Sequence, residues 1–138
     1  MTPVELVRST ALTDTVPYAY AAVTSPGRLV FTAGACPLDH DGTVVSPGDV
    51  AAQAQRVMAN LAVALAAAGA ELTDVAKTTV YVASSSRADL LNAWQVVRDA
   101  FGDHDAPSTL LGVAILGYPD QLVEVEAVAV TSGGLARP

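Results

Sequence analysis

The sequence predicts an α+β fold in which two helices pack on one face of a mixed sheet of about six strands. Two segments repeat apolar residues at helical spacing, and six shorter segments are rich in β-branched residues or alternate in polarity. The strand-like segments precede, separate and follow the helices, an order typical of helices segregated on one side of a sheet. Since 138 residues fit one domain, we expect residues 1–138 to form a single unit.

The first three strands are predicted at residues 4–9, 20–24 and 28–33. Pro26-Gly27 provides a turn between the second and the third, so the three strands are expected to form an opening meander. A further turn is predicted at residues 39–42, where Asp and Gly supply the turn chemistry.

The first helix is predicted to begin with Ser46 as its N-cap, Pro47 at its first helical position and Asp49 three residues after the cap. Gly69 provides its C-terminal stop. The apolar positions that recur at helical spacing are Val50, Ala54, Val57, Leu61, Ala64, Leu65 and Ala68.

The second half of the chain predicts a strand, a helix and two closing strands. Residues 75–83 alternate, with Thr78, Val80 and Val82 on one face and Lys77, Thr79 and Tyr81 on the other. The second helix opens at Ser86, ends at Gly102 and carries Leu90, Ala93, Trp94, Val97 and Phe101. The last strands, at 108–116 and 121–131, are joined by Gly117-Tyr118-Pro119.

Composition and charge restrict the classes of partner. Hydrophobic residues make up 51% of the chain and the mean hydropathy is +0.40, so we expect apolar surface and subunit association. Seven Lys and Arg residues stand against fourteen Asp and Glu, which gives a formal net charge of -7. Because affinity for nucleic acid comes mostly from cations that neutralise phosphates, this charge argues against a nucleic-acid partner.

The sequence also predicts a cytoplasmic protein that does not associate with membranes. Cys36 is the one cysteine, so an internal disulfide is excluded and a reducing compartment is favoured. The first residues lack the basic and apolar regions of a secretory signal. The longest Ala-rich apolar run, residues 61–70, is too short to cross a bilayer.

Short runs recur at characteristic intervals along the chain: Pro17-Tyr18, Leu29 to Gly34, Pro37, Asp49 to Gln53, Asn60-Leu61, Ala67 to Gly69, Asp74 to Val82, Asn92, Ala106 to Thr109 and Val123 to Ala127. With these runs, residues 4–130 resemble the reactive-intermediate deaminase family, known as RidA, YjgF or L-PSP. That resemblance implies a chorismate-mutase-like fold, a homotrimer with an inner β-barrel, and three small-molecule clefts between subunits. It also implies hydrolysis of enamines or imines, such as 2-aminoacrylate, to keto acids and ammonia.

The resemblance assigns two catalytic roles. Glu124 matches the carboxylate that positions or protonates through water, and Tyr18 matches a pocket tyrosine whose hydroxyl donates to substrate or water. Glu126 lies two residues beyond Glu124, roughly 6.5 to 7 Å away on the same strand face, where each carboxylate can raise the other's proton affinity. The structural alternatives are a half-exposed alternating strand for the glutamates and core packing for Tyr18.

Ser108 stands where the family carries an arginine. An arginine fork binds a substrate carboxylate through two charge-assisted hydrogen bonds, and a serine offers only a neutral hydroxyl. Replacing the arginine by serine removes roughly 1.5 to 3 kcal/mol of binding free energy, about ten- to a hundredfold in affinity. The arginines at 28, 56, 87 and 98 lie on predicted strands or helices away from this motif, so none is expected to replace it.

The resemblance places further residues along the cleft. Ala33-Gly34-Ala35 stands where the family often has Ser-Gly-Gln, which predicts a less polar cleft with Gly34 still offering a backbone N–H. Alternatives stay open for Cys36, which either lines the cleft or is a buried inert thiol, and for Asn92, which either lines it or bonds a neighbouring loop. The substrate-binding candidates are Ser108, Thr109, Ala33, Gly34, Ala35, Cys36 and Asn92.

No metal or cofactor is expected, because ligand spacing, phosphate loops and nucleotide fingerprints are absent from the sequence. His104 beside Asp105 is either a proton shuttle over the cleft or part of a solvated loop. Three functions remain open. The chain either hydrolyses a reactive enamine or imine without a carboxylate clamp, binds a small metabolite without turnover, or binds nucleic acid, which its charge disfavours.

Overall fold

The computed structural model describes residues 3–132 and has the α+β architecture that the sequence predicts. Two α-helices and a short 3₁₀ helix, Leu72–Asp74, lie between six strands. The strands are β1 (Val4–Val7), β2 (Ala21–Thr24), β3 (Arg28–Phe31), β4 (Val75–Val82), β5 (Ser108–Gly112) and β6 (Val123–Thr131). The helices are α1 (Val50–Ala67) and α2 (Arg87–Phe101).

The strands divide into two sheets. β1 and β2 form an antiparallel pair, and the other four have the order β3-β6-β4-β5, in which only β4 and β5 run parallel. The predicted opening meander is therefore wrong, because β3 pairs with β6 and not with β2. This pairing sets Val30 beside buried Ala129, so its side chain packs against the core.

Helix α1 begins later than predicted. Ser46 and Gly48 have positive φ values of 48° and 83°, so residues 46–48 form a turn outside the helix. Asp49 is the N-cap, and its carboxylate accepts the Ala52 N–H at 3.0 Å. At the other end the Gly69 stop is confirmed, since Gly69 has a φ of 83° and the Ala70 N–H reaches the Leu65 carbonyl at 2.8 Å.

The hydrophobic core lies between the helices and one face of the four-stranded sheet. α1 buries Val57, Leu61 and Leu65, and α2 buries Ala93 and Val97. The sheet contributes Thr78, Val80, Val82, Val123, Val125, Ala127 and Ala129, which confirms the predicted faces of β4. Ala64 and Ala68, which the helical spacing places with the apolar side of α1, are exposed instead.

The predicted end of α2 is confirmed, but β5 is shorter than predicted. Gly102 ends α2 with a φ of 63°. β5 ends at Gly112 because its partner β4 ends at Val82, the residue that pairs with Gly112. Gly112 also lies against the chain that follows β4, since a Cβ there would come within 2.8 Å of the Ser84 carbonyl oxygen.

The other face of the four-stranded sheet, which we call the open face, carries no helix among residues 3–132. It mixes apolar and charged side chains: Leu29, Phe31, Lys77, Thr79, Tyr81, Thr109, Leu111, Glu124, Glu126 and Val128. Phe31 is 71% exposed and Leu29 is 60% exposed. Within the described part of the chain, neither helix combines the length and the apolar character that a membrane crossing needs.

Candidate functional site

Glu124 lies on β6 with its carboxylate against the segment that follows β3. Its Oε1 accepts a hydrogen bond from the Gln121 side-chain amide at 3.1 Å and lies 3.6 Å from the Cys36 Sγ. A Cβ at Gly34 would come within 1.8 Å of Glu124 Oε2, so only glycine leaves room for the carboxylate in this position. Oε1 is therefore held by the Gln121 amide, and Oε2 lies beside the backbone of Gly34.

Gln121 fixes this carboxylate and was not among the residues selected from the sequence. It is 4% exposed, and its amide also donates to the Val123 carbonyl at 3.2 Å. Its side-chain oxygen accepts the Tyr118 N–H at 3.1 Å, which ties the turn before β6 to the site. Nothing in the sequence marks this residue, because a glutamine before a strand is equally compatible with an exposed loop.

Cys36, in the segment after β3, and Asn60, on α1, lie next to this cluster. The pKa of the Cys36 thiol is raised by burial and, after that, by the negative charge of Glu124, which fits the inert-thiol interpretation better than a nucleophile. Asn60 on α1 donates to the carbonyls of Cys36 and Leu38, both at 2.9 Å. These bonds explain why an asparagine faces this loop from the middle of a helix.

An apolar groove of about 490 Å³ runs along the edge of the sheet beside this cluster. β3 and the following segment form one wall, and the C-terminal half of α1 with its C-cap Ala68 forms the other. Four of the predicted cleft residues, Ala33 to Cys36, lie together here. The groove is lined by Val30, Phe31, Thr32, Ala33, Gly34, Ala35, Cys36, Leu38, Asn60, Ala64, Ala68 and Tyr118.

Tyr18 lies elsewhere in the chain. Its ring packs edge-on against Trp94 of α2 and against Tyr20, with ring centroids 6.4 and 6.1 Å apart. Because α2 covers the core face of the sheet and Glu124 faces the open side, a single chain does not bring Tyr18 and Glu124 together. In one subunit Tyr18 has the packing role that the sequence left open as the alternative.

Ser108 and Thr109 point to opposite faces of the sheet. The Ser108 hydroxyl donates to the Ala106 carbonyl at 3.0 Å and accepts from the hydroxyl of buried Thr78. Thr109 is on the open face, where its hydroxyl accepts from the Lys77 ammonium at 2.6 Å. The two predicted binding residues therefore do not share one surface, and Ser108 lies on the helix side of the sheet.

A cation does lie beside the Ser108 motif, although the sequence did not identify it. Arg8 pairs with Asp105 at 2.9 Å and donates to the Tyr18 carbonyl at 2.8 Å. Arg8 was not among the arginines considered from the sequence, because 97 residues separate it from Asp105. Its charge is already paired, so it braces the loop and is not a free carboxylate clamp.

The remaining candidates from the sequence are His104 and Asn92. The His104 Nε2 lies 2.7 Å from the Val75 carbonyl oxygen, which only accepts, so this nitrogen carries the hydrogen and anchors the loop to β4. His104 is therefore partly buried and its loop is anchored to β4. It also lies away from the Glu124 cluster. Asn92 is exposed on α2.

Comparisons with known proteins agree with this architecture. The sequence model of the endoribonuclease L-PSP family matches residues 9–131. The chain is 33% identical to the 2-iminobutanoate/2-iminopropanoate deaminase of Escherichia coli over 75% of this chain and 80% of that protein. It is 29% identical to the 3-aminoacrylate deaminase RutC of Acinetobacter baylyi over 80% of this chain and 85% of that protein.

Solved structures show the same fold. The Rid family protein YyfB from Yersinia pestis matches with a TM-score of 0.85 and 30% identity over 94% of this chain and 99% of that one. E. coli TdcF, solved with bound serine, matches with a TM-score of 0.65 and 28% identity over 93% of this chain and 99% of that one. The chain belongs to the RidA, YjgF or endoribonuclease L-PSP family.

Proposed function

We propose that this protein hydrolyses a reactive enamine or imine whose binding does not depend on an arginine clamp for a carboxylate. The observation that carries the proposal is the Glu124 carboxylate, held at Oε1 by Gln121 and placed at Oε2 beside Gly34 and the apolar groove. Relatives named as imine and aminoacrylate deaminases support the same reaction class. Ser108 in place of the arginine supports a substrate other than 2-aminoacrylate or 2-iminopropanoate.

The reaction needs little more than a positioned proton carrier. Water adds to the carbon of the C=N bond, Glu124 takes a proton from that water, and the imine nitrogen gains one proton. The resulting carbinolamine transfers the proton of its hydroxyl group to nitrogen, and ammonia leaves as the C–N bond breaks and the C=O bond forms. General acid–base catalysis by one positioned carboxylate contributes roughly 10² to 10⁴ in rate. An enamine reaches the same imine by moving a proton from nitrogen to carbon.

We further propose that the complete site lies between two copies of the chain in a cytoplasmic homotrimer. In one chain the Glu124 cluster and the Tyr18 and Ser108 region lie on different sides of the sheet. A neighbouring copy supplies the missing half when its Tyr18 and Ser108 region meets the groove. The exposed Leu29 and Phe31 on the open face support such an assembly, because large exposed apolar side chains on a sheet favour burial against a partner.

We expect the Glu124→Gln variant to release ammonia from its imine substrates about a hundredfold more slowly than the native protein, because glutamine keeps the shape but cannot carry the proton. Glu5→Gln, which changes the exposed residue of β1, is the matched control and retains full activity. The measurement is ammonia release from a panel of charged and uncharged imines. If none turns over while the groove binds a small apolar metabolite saturably, the protein is a binding protein and the enzymatic proposal fails.

We expect the native protein to hydrolyse 2-iminopropanoate weakly and Ser108→Arg to raise that rate by about tenfold or more, because the guanidinium supplies two charge-assisted bonds to the substrate carboxylate. Arginine at 108 also removes the hydroxyl that pairs with buried Thr78. The experiment therefore includes Ser108→Arg with Thr78→Val, which leaves no unpaired hydroxyl, and Ser108→Lys as a cation without the fork. Full native activity on 2-iminopropanoate contradicts the role given to Ser108.

The reactivity of the Cys36 thiol depends on the charge of Glu124, so its alkylation rate tests the contact between the two side chains. Because its thiol pKa is raised, the thiolate fraction at pH 8 is smaller than for a free cysteine, and alkylation by iodoacetamide is slower. Glu124→Gln removes the neighbouring negative charge, so the pKa falls and alkylation at a given pH becomes faster, although burial keeps it above the ordinary value. The measurement is the alkylation rate against pH. Identical profiles in the two proteins refute the contact between these side chains.

Light scattering is expected to give three times the chain mass of 14.0 kDa. Phe31→Asp places a charge on the open face and shifts the population toward monomer, because a buried aspartate is costly in an apolar interface. Val63→Asp is the control, since Val63 is 69% exposed on α1 and lies outside that face. A native protein that remains monomeric at high concentration rules out the trimer and the shared cleft.

A further inference from the structure

Gln53 of α1 is a polar side chain at a core position. It is 0% exposed, and Val50, Ala54 and Val57 of the same helix belong to the hydrophobic core around it. Burying an amide costs free energy unless its donor and acceptor atoms are hydrogen-bonded. The partners of Gln53 therefore indicate why an amide stands here.

The Gln53 amide binds the backbone on both sides of Gln121. Its Nε2 donates to the Asp120 carbonyl at 2.9 Å, and its Oε1 accepts the Leu122 N–H at 2.7 Å. Because a carbonyl only accepts and an N–H only donates, these two bonds determine the orientation of the amide. Nε2 also donates to the Ser46 carbonyl at 3.3 Å, which joins the turn before β6 to the segment before α1.

The backbone between these two bonds is held in an uncommon conformation. Asp120 has a φ of 66°, in the left-handed region, which a residue other than glycine adopts at a cost and keeps only when its surroundings hold it there. The Leu122 carbonyl accepts the Ala83 N–H at 2.9 Å, so the turn is also fixed to the residue after β4. Without the Gln53 amide, the N–H of partly buried Leu122 would lose its acceptor, and the turn would shift to find another.

Gln121 connects this turn to the candidate catalytic carboxylate. Its side-chain amide donates to Glu124 Oε1 at 3.1 Å and accepts from the Tyr118 N–H at 3.1 Å. The Gln121 side chain reaches Glu124 only while its backbone stays in place, and the two bonds from Gln53 lie on either side of that backbone. Gln53 bonds to backbone atoms of residues 46, 120 and 122, so its effect on Glu124 passes through Gln121.

We propose that Gln53 is a positioning residue for Glu124: it fixes the backbone around Gln121, and Gln121 in turn holds the carboxylate in one orientation. The effect on rate rests on the proposed hydrolysis, whereas the effect on Gln121 rests on the hydrogen bonds within one chain. Because Gln53 is enclosed by its own chain, this role does not depend on how copies of the chain assemble.

The first test is a double-mutant cycle on ammonia release, with Gln53→Met and Gln121→Met. Methionine has nearly the length and volume of glutamine but does not replace its hydrogen bonds. Each single variant is expected to lower kcat about tenfold with KM changed less than about twofold, because misplacing the proton carrier affects the transition state more than substrate binding. The double variant is expected to be no slower than Gln121→Met, whereas independent effects would multiply to about a hundredfold.

Val57→Ala is the matched control. Val57 is buried one turn after Gln53 on α1, so its truncation destabilises the core without removing a bond to the turn. It is expected to lower the Tm but to leave kcat unchanged at a temperature well below that Tm. A loss of kcat in Val57→Ala equal to that in Gln53→Met would show that general destabilisation suffices and would refute the positioning role.

The second test needs no substrate. NMR of the protein labelled with isotopic glutamine gives the rate at which the Gln121 side-chain amide hydrogens exchange with water, and Gln121→Met assigns their signals by removing them. These hydrogens are bonded to Glu124 and to the Val123 carbonyl in the native protein, so slow exchange is expected. Gln53→Met is expected to speed it about tenfold, and Val57→Ala to leave it unchanged. Gln53→Leu serves in the same way where the methionine variant does not fold.

The two tests separate failure of this proposal from failure of the proposed hydrolysis. Unchanged Gln121 exchange in Gln53→Met, or effects that multiply in the cycle, overturns the positioning role. Faster Gln121 exchange in a protein that releases ammonia from no imine supports the positioning of Glu124 and removes the hydrolysis.

Discussion

The alternation of β6 is the constraint on which the rest of the structure depends. β6 lies between β3 and β4, and its odd-numbered residues from Val123 to Ala129 are buried against the helices. Glu124 and Glu126 therefore face the open side. A shift of one residue would turn both carboxylates into the core, where an unpaired charge costs several kcal/mol. The register that buries the apolar residues of β6 in the core also places Glu124 and Glu126 on the open face.

The sequence predicted what depends on local periodicity and missed what depends on long-range pairing. The faces of β4, the stops at Gly69 and Gly102 and the outward direction of Glu124 follow from spacing within a few residues. The pairing of β3 with β6 does not, because about a hundred residues separate the two strands. The Arg8 and Asp105 pair was missed for the same reason. The N-cap was misplaced because Ser46 and Asp49 are equally good caps, and the left-handed Gly48 decides between them.

The sequence identified the carboxylate of the candidate site, Glu124, but not Gln121, the residue that orients it. Resemblance identifies Glu124, Gly34 and Cys36, and the structure brings all three into contact. Gln121 carries no local signal, yet its three hydrogen bonds fix Glu124 to the turn that contains Tyr118. A buried amide with all its partners satisfied restricts the carboxylate to one orientation, which is the condition for directed proton transfer.

Glu124 and Glu126 are neighbours on one strand face, but their hydrogen bonds separate them chemically. Glu124 is bound by an amide and lies beside a thiol, whereas Glu126 is bound by the Tyr81 phenol, whose pKa is raised by burial first and by Glu126 second. Glu126 accepts a hydrogen bond at its Oε2, whereas Oε2 of Glu124 lies beside Gly34 next to the groove, so Glu124 is the carboxylate that we propose for proton transfer. The same two-residue repeat thus supplies two carboxylates whose surroundings, and not their sequence positions, give them different chemistry.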